Sequence, residues 1–210
     1  MHKWTETLKA LNFSRFVIFH PFKGFWELKR EKRGTVLSAS AIILAVIIIF
    51  VIRRQFTGFV LNNNDPNEMN VLFQICYVLC PFLVWCIANW SVTTLMEGEG
   101  TFRDIYIASA YALVPLVLLN VPMVLLSQVL VENEVTIYTL LDSISIIWTA
   151  FLLIIGIMTV HQYSMFKTIA TTVITLVAMI VILVIILLFF SLMQQMYHFL
   201  CLLGYEIFQR

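Results

Sequence analysis

Glu97, Glu99, Asp104 and His161 are the side chains of this sequence whose types suit a metal ion. Three of them fall in one short stretch, MEGEGTFRD (96–104), with long apolar runs on both sides. Carboxylate oxygens favour hard cations and imidazole favours transition metals, but either needs a spacing that brings the ligands together. There is no HExxH, no DxD and no paired-histidine spacing. The four cysteines, Cys76, Cys80, Cys86 and Cys201, form no CxxC pair. Three of them lie inside one apolar run, where Cys behaves as a small packing residue. No phosphate-cradling glycine loop, GxSxG elbow or Cys–His spacing is present. The expectation is a protein without catalytic chemistry, metal or cofactor.

A second polar set sits within the apolar runs: Asn89, with Trp85 one turn earlier, then Asn120, Gln128 and Asp142. Polar groups in hydrocarbon are costly, so each is a functional hypothesis by default. They either make interhelical hydrogen bonds, worth about 0.6 kcal/mol each on average, or line a path, with Asp142 as a proton-coupling group. Convergence on one cavity reaching both faces would mark a transporter or channel. Scattered pairwise contacts would mark an adaptor.

What must position these residues follows from composition. The chain is 61% hydrophobic and 12% charged, with a mean hydropathy of +0.94. A soluble domain is about half apolar and about a quarter charged. The solvent is therefore mostly lipid, and backbone polar groups must be satisfied within each segment. The apolar runs are too long for tilted barrel strands and lack their alternation, so helices are expected. The net charge of +1 gives no basic field for nucleic acid.

Five runs reach the roughly 20 residues that span about 30 Å of hydrocarbon: 34–52, 70–96, 105–131, 138–160 and 168–192. Pro115 and Pro122, seven residues apart on one face, should bend the third. The connections are short: an Asn-rich turn around Asp65-Pro66, the acidic glycine stretch 96–104, residues 132–137, and HQYSMFK (161–167). In the glycine stretch, the glycines suit a tight turn and Asp104 can cap the third span. Thirty-three mostly polar or amphipathic residues precede the first run, which should therefore stay as an anchor rather than act as a cleaved signal. With the N-terminus in the cytoplasm, ten Lys and Arg fall inside and three (Arg53, Arg54 and Arg210) outside. The positive-inside rule thus predicts N-terminus in and, with an odd number of spans, C-terminus out; the expected location is the plasma membrane. Arg53 and Arg54 break that rule locally and are expected to snorkel to the headgroups.

The leader HPFKGFWELKREKRG (20–34) starts with Pro21, suited to a first helical position. Phe22, Phe25 and Trp26 share one face at i, i+3 and i+4, and Lys23, Glu27 and Arg30 lie away from it. Such a helix should lie in the membrane interface. Lys29, Arg30, Lys32 and Arg33 then meet anionic lipid, which attracts each by about 1 kcal/mol, or simply fix topology. At the other end, Gln195, His198, Tyr205 or Glu206, and Gln209 form a polar stripe. It reads as the last span emerging amphipathically, or as a docking face.

The pattern EGEGTFRDIYIASAYALVP (97–115) resembles the signature region of the Yip1 family of integral membrane proteins. The likeness rests on a glycine-rich inner loop followed by a span with a Tyr and a Pro: Gly98, Gly100, Thr101, Phe102, Tyr111 and Pro115. The leader looks like the Pro-aromatic-basic entry of bacterial members, and the resemblance covers roughly residues 20 to 195. It implies five spans with a cytoplasmic N-terminus and an accessory membrane subunit. Family association points to carbohydrate-type ABC transporters as companions. Eukaryotic members are adaptors in vesicle traffic that engage prenylated small GTPases; they carry a long polar N-terminal region that this sequence does not share, so that role is not carried over. The family brings no catalytic residues.

The expected fold class is therefore all-α: a polytopic transmembrane bundle of five spans, with an interfacial amphipathic helix before span one. It divides into a basic N-terminal segment (1–33), a five-span Yip1-like domain (34–195) and an amphipathic tail (196–210). The expected function is non-enzymatic, an adaptor or accessory subunit in contact with membrane lipids and another integral membrane protein. Its contact surface is expected at Glu97, Gly98, Glu99, Gly100, Thr101, Phe102, Arg103 and Asp104, beside the leader helix. The acids there would pair with a partner's basic groups or with Lys29, Arg30, Lys32 and Arg33. The rival is a small transporter or channel with a polar path through spans two to four.

Overall fold

The computed structural model describes residues 2–58, 61, 70–131 and 134–208, with side chains from residue 10 onward except at 203, 204 and 206–208. The Asn-rich turn, Glu132, Gln209 and Arg210 lie outside the described residues, as does the side chain of Glu206. All regular elements among the described residues are helices: α1 (His2–Phe19), α2 (Pro21–Arg30), α3 (Val36–Phe56), α4 (Val71–Leu95), α5 (Phe102–Ala112), α6 (Val114–Ser127), α7 (Val135–His161) and α8 (Met165–Phe208). Five stretches are long and apolar enough to cross a membrane: α3, α4, α5 with α6, α7 and α8. The protein is an integral multi-pass membrane protein, and a short helix precedes its first span.

Consecutive spans run up and down. One end of the bundle gathers α2, the 96–101 loop and the α7–α8 turn, and is called here the leader end. The far end gathers the termini of α3 and α6 and the start of α7. Local sequence sets the helix starts. Thr35 and Ser38 exchange side-chain and backbone hydrogen bonds at the start of α3, a capping box that satisfies two orphan donors. The Asn70 side chain accepts from Phe73 N–H at the start of α4.

α7 is the hub, packing against α2, α5, α6 and α8, while α4 joins α8 to α3 and α5. The main core gathers Val17, Phe25, Ile42, Tyr111, Leu152 and Ile155 from five helices. Tyr111 is fully buried. Its hydroxyl donates to the Ala10 carbonyl at 3.0 Å and lies 3.0 Å from the Ser38 hydroxyl, tying α1 and α3 to α5. Pro115 falls at the second position of α6, just past the break at Leu113, so the third span is two helices rather than one bent one. Pro122 stays within α6.

Three features depart from the sequence expectations. First, α1 is a helix that folds back on α2, with Arg33 over the Phe13 ring at 5.3 Å and Lys23 over the Phe16 ring at 6.0 Å. Gly24 allows the two backbones to close, since a Cβ there would sit 2.8 Å from the Val17 Cα. Second, Phe25 does not share a membrane face with Phe22 and Trp26. It is fully buried, its ring against Gly156 of α7, whereas Phe22 and Trp26 stay exposed. The three do lie on one side of α2, but that side is wide enough to face α7 and the outside at once. Third, span five does not end near Leu192. α8 continues as one helix to Phe208, 44 residues or about 66 Å, and the tail is its continuation.

Candidate functional site: polar clusters at opposite ends of the bundle

The leader-end cluster is built on the glycine stretch. Thr101, not Asp104, is the N-cap of α5. Its side chain accepts from Asp104 N–H at 3.3 Å, and Asp104 accepts in return from Thr101 N–H at 3.2 Å. Glu97, not a glycine, takes the left-handed conformation, with φ 58°. The glycines serve close approach instead. A Cβ on Gly98 would meet His161 Nδ1 at 2.5 Å, and one on Gly100 would meet Val160 Cγ1 at 2.5 Å. The backbone at 98–100 therefore lies directly on the end of α7, and Gly100 N–H donates to His161 Nδ1 at 3.3 Å. That bond puts the imidazole proton on Nε2, which is buried without a partner among the described residues.

Tyr163 closes the same seam. Its ring stacks on His161 at 5.4 Å between centroids, and its hydroxyl donates to the Met96 carbonyl at 3.0 Å. Burial, and then the nearby Glu97 carboxylate, raise its pKa above the ordinary phenol range, so it remains a donor. Lys29 reaches over from α2 and donates to the Val160 carbonyl at 2.6 Å, among the orphan carbonyls of α7, where the helix dipole favours a cation. Glu99 lies 3.4 Å from the same ammonium. Of the four basic leader residues, Lys29 pairs with an acid of the loop. Arg33 pairs instead with Glu27 at 3.1 Å and Glu31 at 2.6 Å in its own segment.

Three of the four candidate cation ligands are thus engaged in structural contacts, Asp104 in the cap, His161 under the loop and Glu99 on Lys29, and Glu97 is exposed. Among the described residues, no three His, Cys, Asp or Glu side chains gather as metal ligands. Glu97, Glu99, Thr101, Phe102 and Arg103 remain exposed on the surface of this end.

The far-end cluster has no sequence signature. The sequence predicts that Arg53 snorkels to the headgroups and names no partner for Asp142. The structure pairs them. Arg53 Nη1 donates to Asp142 Oδ1 at 2.7 Å and to Asn120 Oδ1 at 2.8 Å, with the guanidinium carbon 5.5 Å from the Tyr138 ring centre. Asn120 is fully buried and anchors its amide on the Leu116 carbonyl at 2.7 Å. Gln128 donates to the Phe56 carbonyl, joining α6 to α3. Beside it, Gly58 N–H donates to Ser127 Oγ at 3.0 Å, an approach so close that a Cβ on Gly58 would overlap the Ser127 carbonyl.

Asn89 belongs to neither cluster. It is fully buried on the α4–α8 seam and donates to Thr175 at 3.4 Å, and its Oδ1 has no partner among the described residues. Thr168, Thr171 and Thr175 are the buried side chains of α8 among the described residues. The four intramembrane polar residues therefore do not line one path. Asn120 and Asp142 meet on Arg53, while Asn89 and Gln128 make separate interhelical contacts.

Between α3, α4, α5–α6 and α7 lies a cavity of about 680 Å³, with Arg53 and Asp142 at its far-end rim. Its walls include Val46, Pro81, Trp85, Leu116 and Leu153. Two helix irregularities make room for it. Pro81 within α4 offers no N–H to the Tyr77 carbonyl, and the third span is broken at Leu113. Trp85 Nε1 donates to Ser109 Oγ at 3.2 Å within the cavity wall.

The sequence profile of the Yip1 domain matches residues 15–188 of the chain. No curated protein and no solved structure gives a significant match.

Proposed function

From the premise that this chain belongs to the Yip1 family, we propose that it is a non-enzymatic membrane adaptor or accessory subunit that binds another integral membrane protein. A carbohydrate-type ABC transporter is the partner class we favour. The observation that carries this reading is α8. It is fastened to α4 through a threonine seam in its first three turns, and from Leu183 to Leu202 every side chain is exposed. At about 66 Å it is more than twice the length that 30 Å of hydrocarbon needs. An apolar helix running that far beyond the bilayer suits a chain that is covered by a companion.

The glycine loop is the proposed cytoplasmic contact, with Glu97, Glu99 and Arg103 presented to basic and acidic groups of the partner. Replacing Glu97 and Glu99 together by Gln removes two exposed charges. The internal cost is at most the exposed Lys29–Glu99 pair, worth about 0.5 kcal/mol. The fold should persist, and the yield of co-purifying protein from mild detergent, identified by mass spectrometry, should fall several-fold. An unchanged yield would remove the loop from the contact surface.

This assignment places the leader end in the cytoplasm of a plasma-membrane protein, with the C-terminus outside, as the ten-to-three distribution of basic residues suggests. Glu99→Cys, with Cys76, Cys80, Cys86 and Cys201 replaced by Ala, reports on it. An impermeant maleimide should label residue 99 only after the cells are permeabilised. Labelling of intact cells would reverse the topology.

The transporter alternative draws support from the Arg53–Asp142 pair at the rim of a cavity. Against it, the cavity lining includes neither Asp104 nor His161 of the leader end.

A further inference from the structure

Arg53 stands between two chambers. On one side is the apolar cavity of about 680 Å³; on the other is a polar one of about 370 Å³, lined by Arg54, Thr57, Gln74 and Tyr138. Phe50, Arg53 and Tyr77 line both, so the two meet at the guanidinium. We propose that this pair of chambers is a binding site for one phospholipid, its phosphate on Arg53 and an acyl chain in the apolar cavity.

The donor inventory of Arg53 argues for the phosphate. A guanidinium carries five N–H donors in a planar fork. The hydrogen bonds from Arg53 to Asn120 and Asp142 both come from Nη1. The Tyr138 side chain also engages the guanidinium, and the remaining donors lie on Nε and Nη2. Open donors on a half-buried guanidinium are costly in a membrane, and a phosphate accepts two of them in parallel. Asn120, Asp142 and the Tyr138 ring hold one side of the fork, so its position is set before a ligand arrives.

The apolar chamber argues for the chain. Its volume falls within the range of small-molecule sites, and its walls are helix faces of Val, Phe, Pro, Leu and Ile. The wall also carries polar side chains: Ser109 accepts from Trp85, and Thr149, two turns below Asp142 on α7, keeps its hydroxyl buried. Charge at one end and apolar volume at the other follow the order of groups along a phospholipid. The rim lies within the last turn of α3, at the depth of the headgroups for a helix of this length.

The test is native mass spectrometry of the full chain released from detergent and titrated with phosphatidylglycerol, with a long-chain alcohol as the uncharged control. Wild type should retain one phosphatidylglycerol and bind the alcohol at least ten-fold more weakly. Arg53→Gln with Asp142→Asn removes both charges while keeping polar groups to bond each other, and should lower phosphatidylglycerol binding ten-fold or more. Ile146→Trp, which fills the apolar chamber and leaves the rim intact, should abolish retention. Equal retention by wild type and a folded Ile146→Trp would mean that lipid coats only the outer surface, and would overturn the site. Equal binding of the alcohol by wild type would overturn the phosphate assignment even if neither variant folds. Retention of a fatty acid in place of the phospholipid would do the same.

Discussion

Asp142→Ala should destabilise the protein by about 2–3 kcal/mol, as read from unfolding in mixed micelles. The loss reflects what is left behind. Arg53 and Asp142 have side chains only 24% and 29% exposed, and each is the other's counter-ion at 2.7 Å. Removing the carboxylate strands a guanidinium beside Asn120 and the apolar walls of the cavity, where water hydrates it poorly. Arg53→Gln should cost a similar amount, for it strands the carboxylate. The double replacement Arg53→Gln with Asp142→Asn should recover most of the loss, because two amides hydrogen-bond without any charge to desolvate. A cost under about 1 kcal/mol for Asp142→Ala would show that the pair behaves as an exposed one. Nothing in the sequence pairs the two: Arg53 is expected to snorkel to the headgroups, and Asp142 to line a path or bond between helices.

Phe25→Ala should cost about 3 kcal/mol. The ring is fully buried between α2 and α7, and its removal leaves a void lined in part by Gly156, which has no side chain to fill it. α2 would also lose the contact that brings Lys29 to the carbonyls ending α7. Phe22→Ala and Trp26→Ala make the control. Both side chains are at least half exposed, so their loss should change stability by less than about 1 kcal/mol. Equal effects for all three would return Phe25 to the membrane face that its spacing suggests. The contrast separates a leader that merely lies on the bilayer from one built into the bundle.

The residues on which the family resemblance was read acquire physical roles here. Gly98 and Gly100 let the loop lie on His161 and Val160, Thr101 caps α5, Tyr111 ties three helices together, and Pro115 follows the break in the third span. None of these roles is catalytic. These residues assemble the leader end, so the contacts proposed for a partner fall to the exposed side chains beside them, Glu97, Glu99 and Arg103.

The sequence by itself determined the lipid solvent, the helical class, five spans and their approximate limits, and the family. Those are properties of run length and composition, which act locally: about 20 apolar residues must satisfy their own backbone wherever they stand. Capping chemistry is local too, and the acidic glycine turn was visible for that reason, although the identity of the cap was not. A helix in the first twenty residues had a faint signal in Ala10, Ser14, Val17 and Ile18, now buried at i, i+4, i+7 and i+8. Tertiary structure alone decided which side of α2 is covered and that Arg53 meets a carboxylate 89 positions away. Pairing between helices depends on their rotation and relative height, and in a chain apolar on nearly every face no hydrophobic periodicity records either.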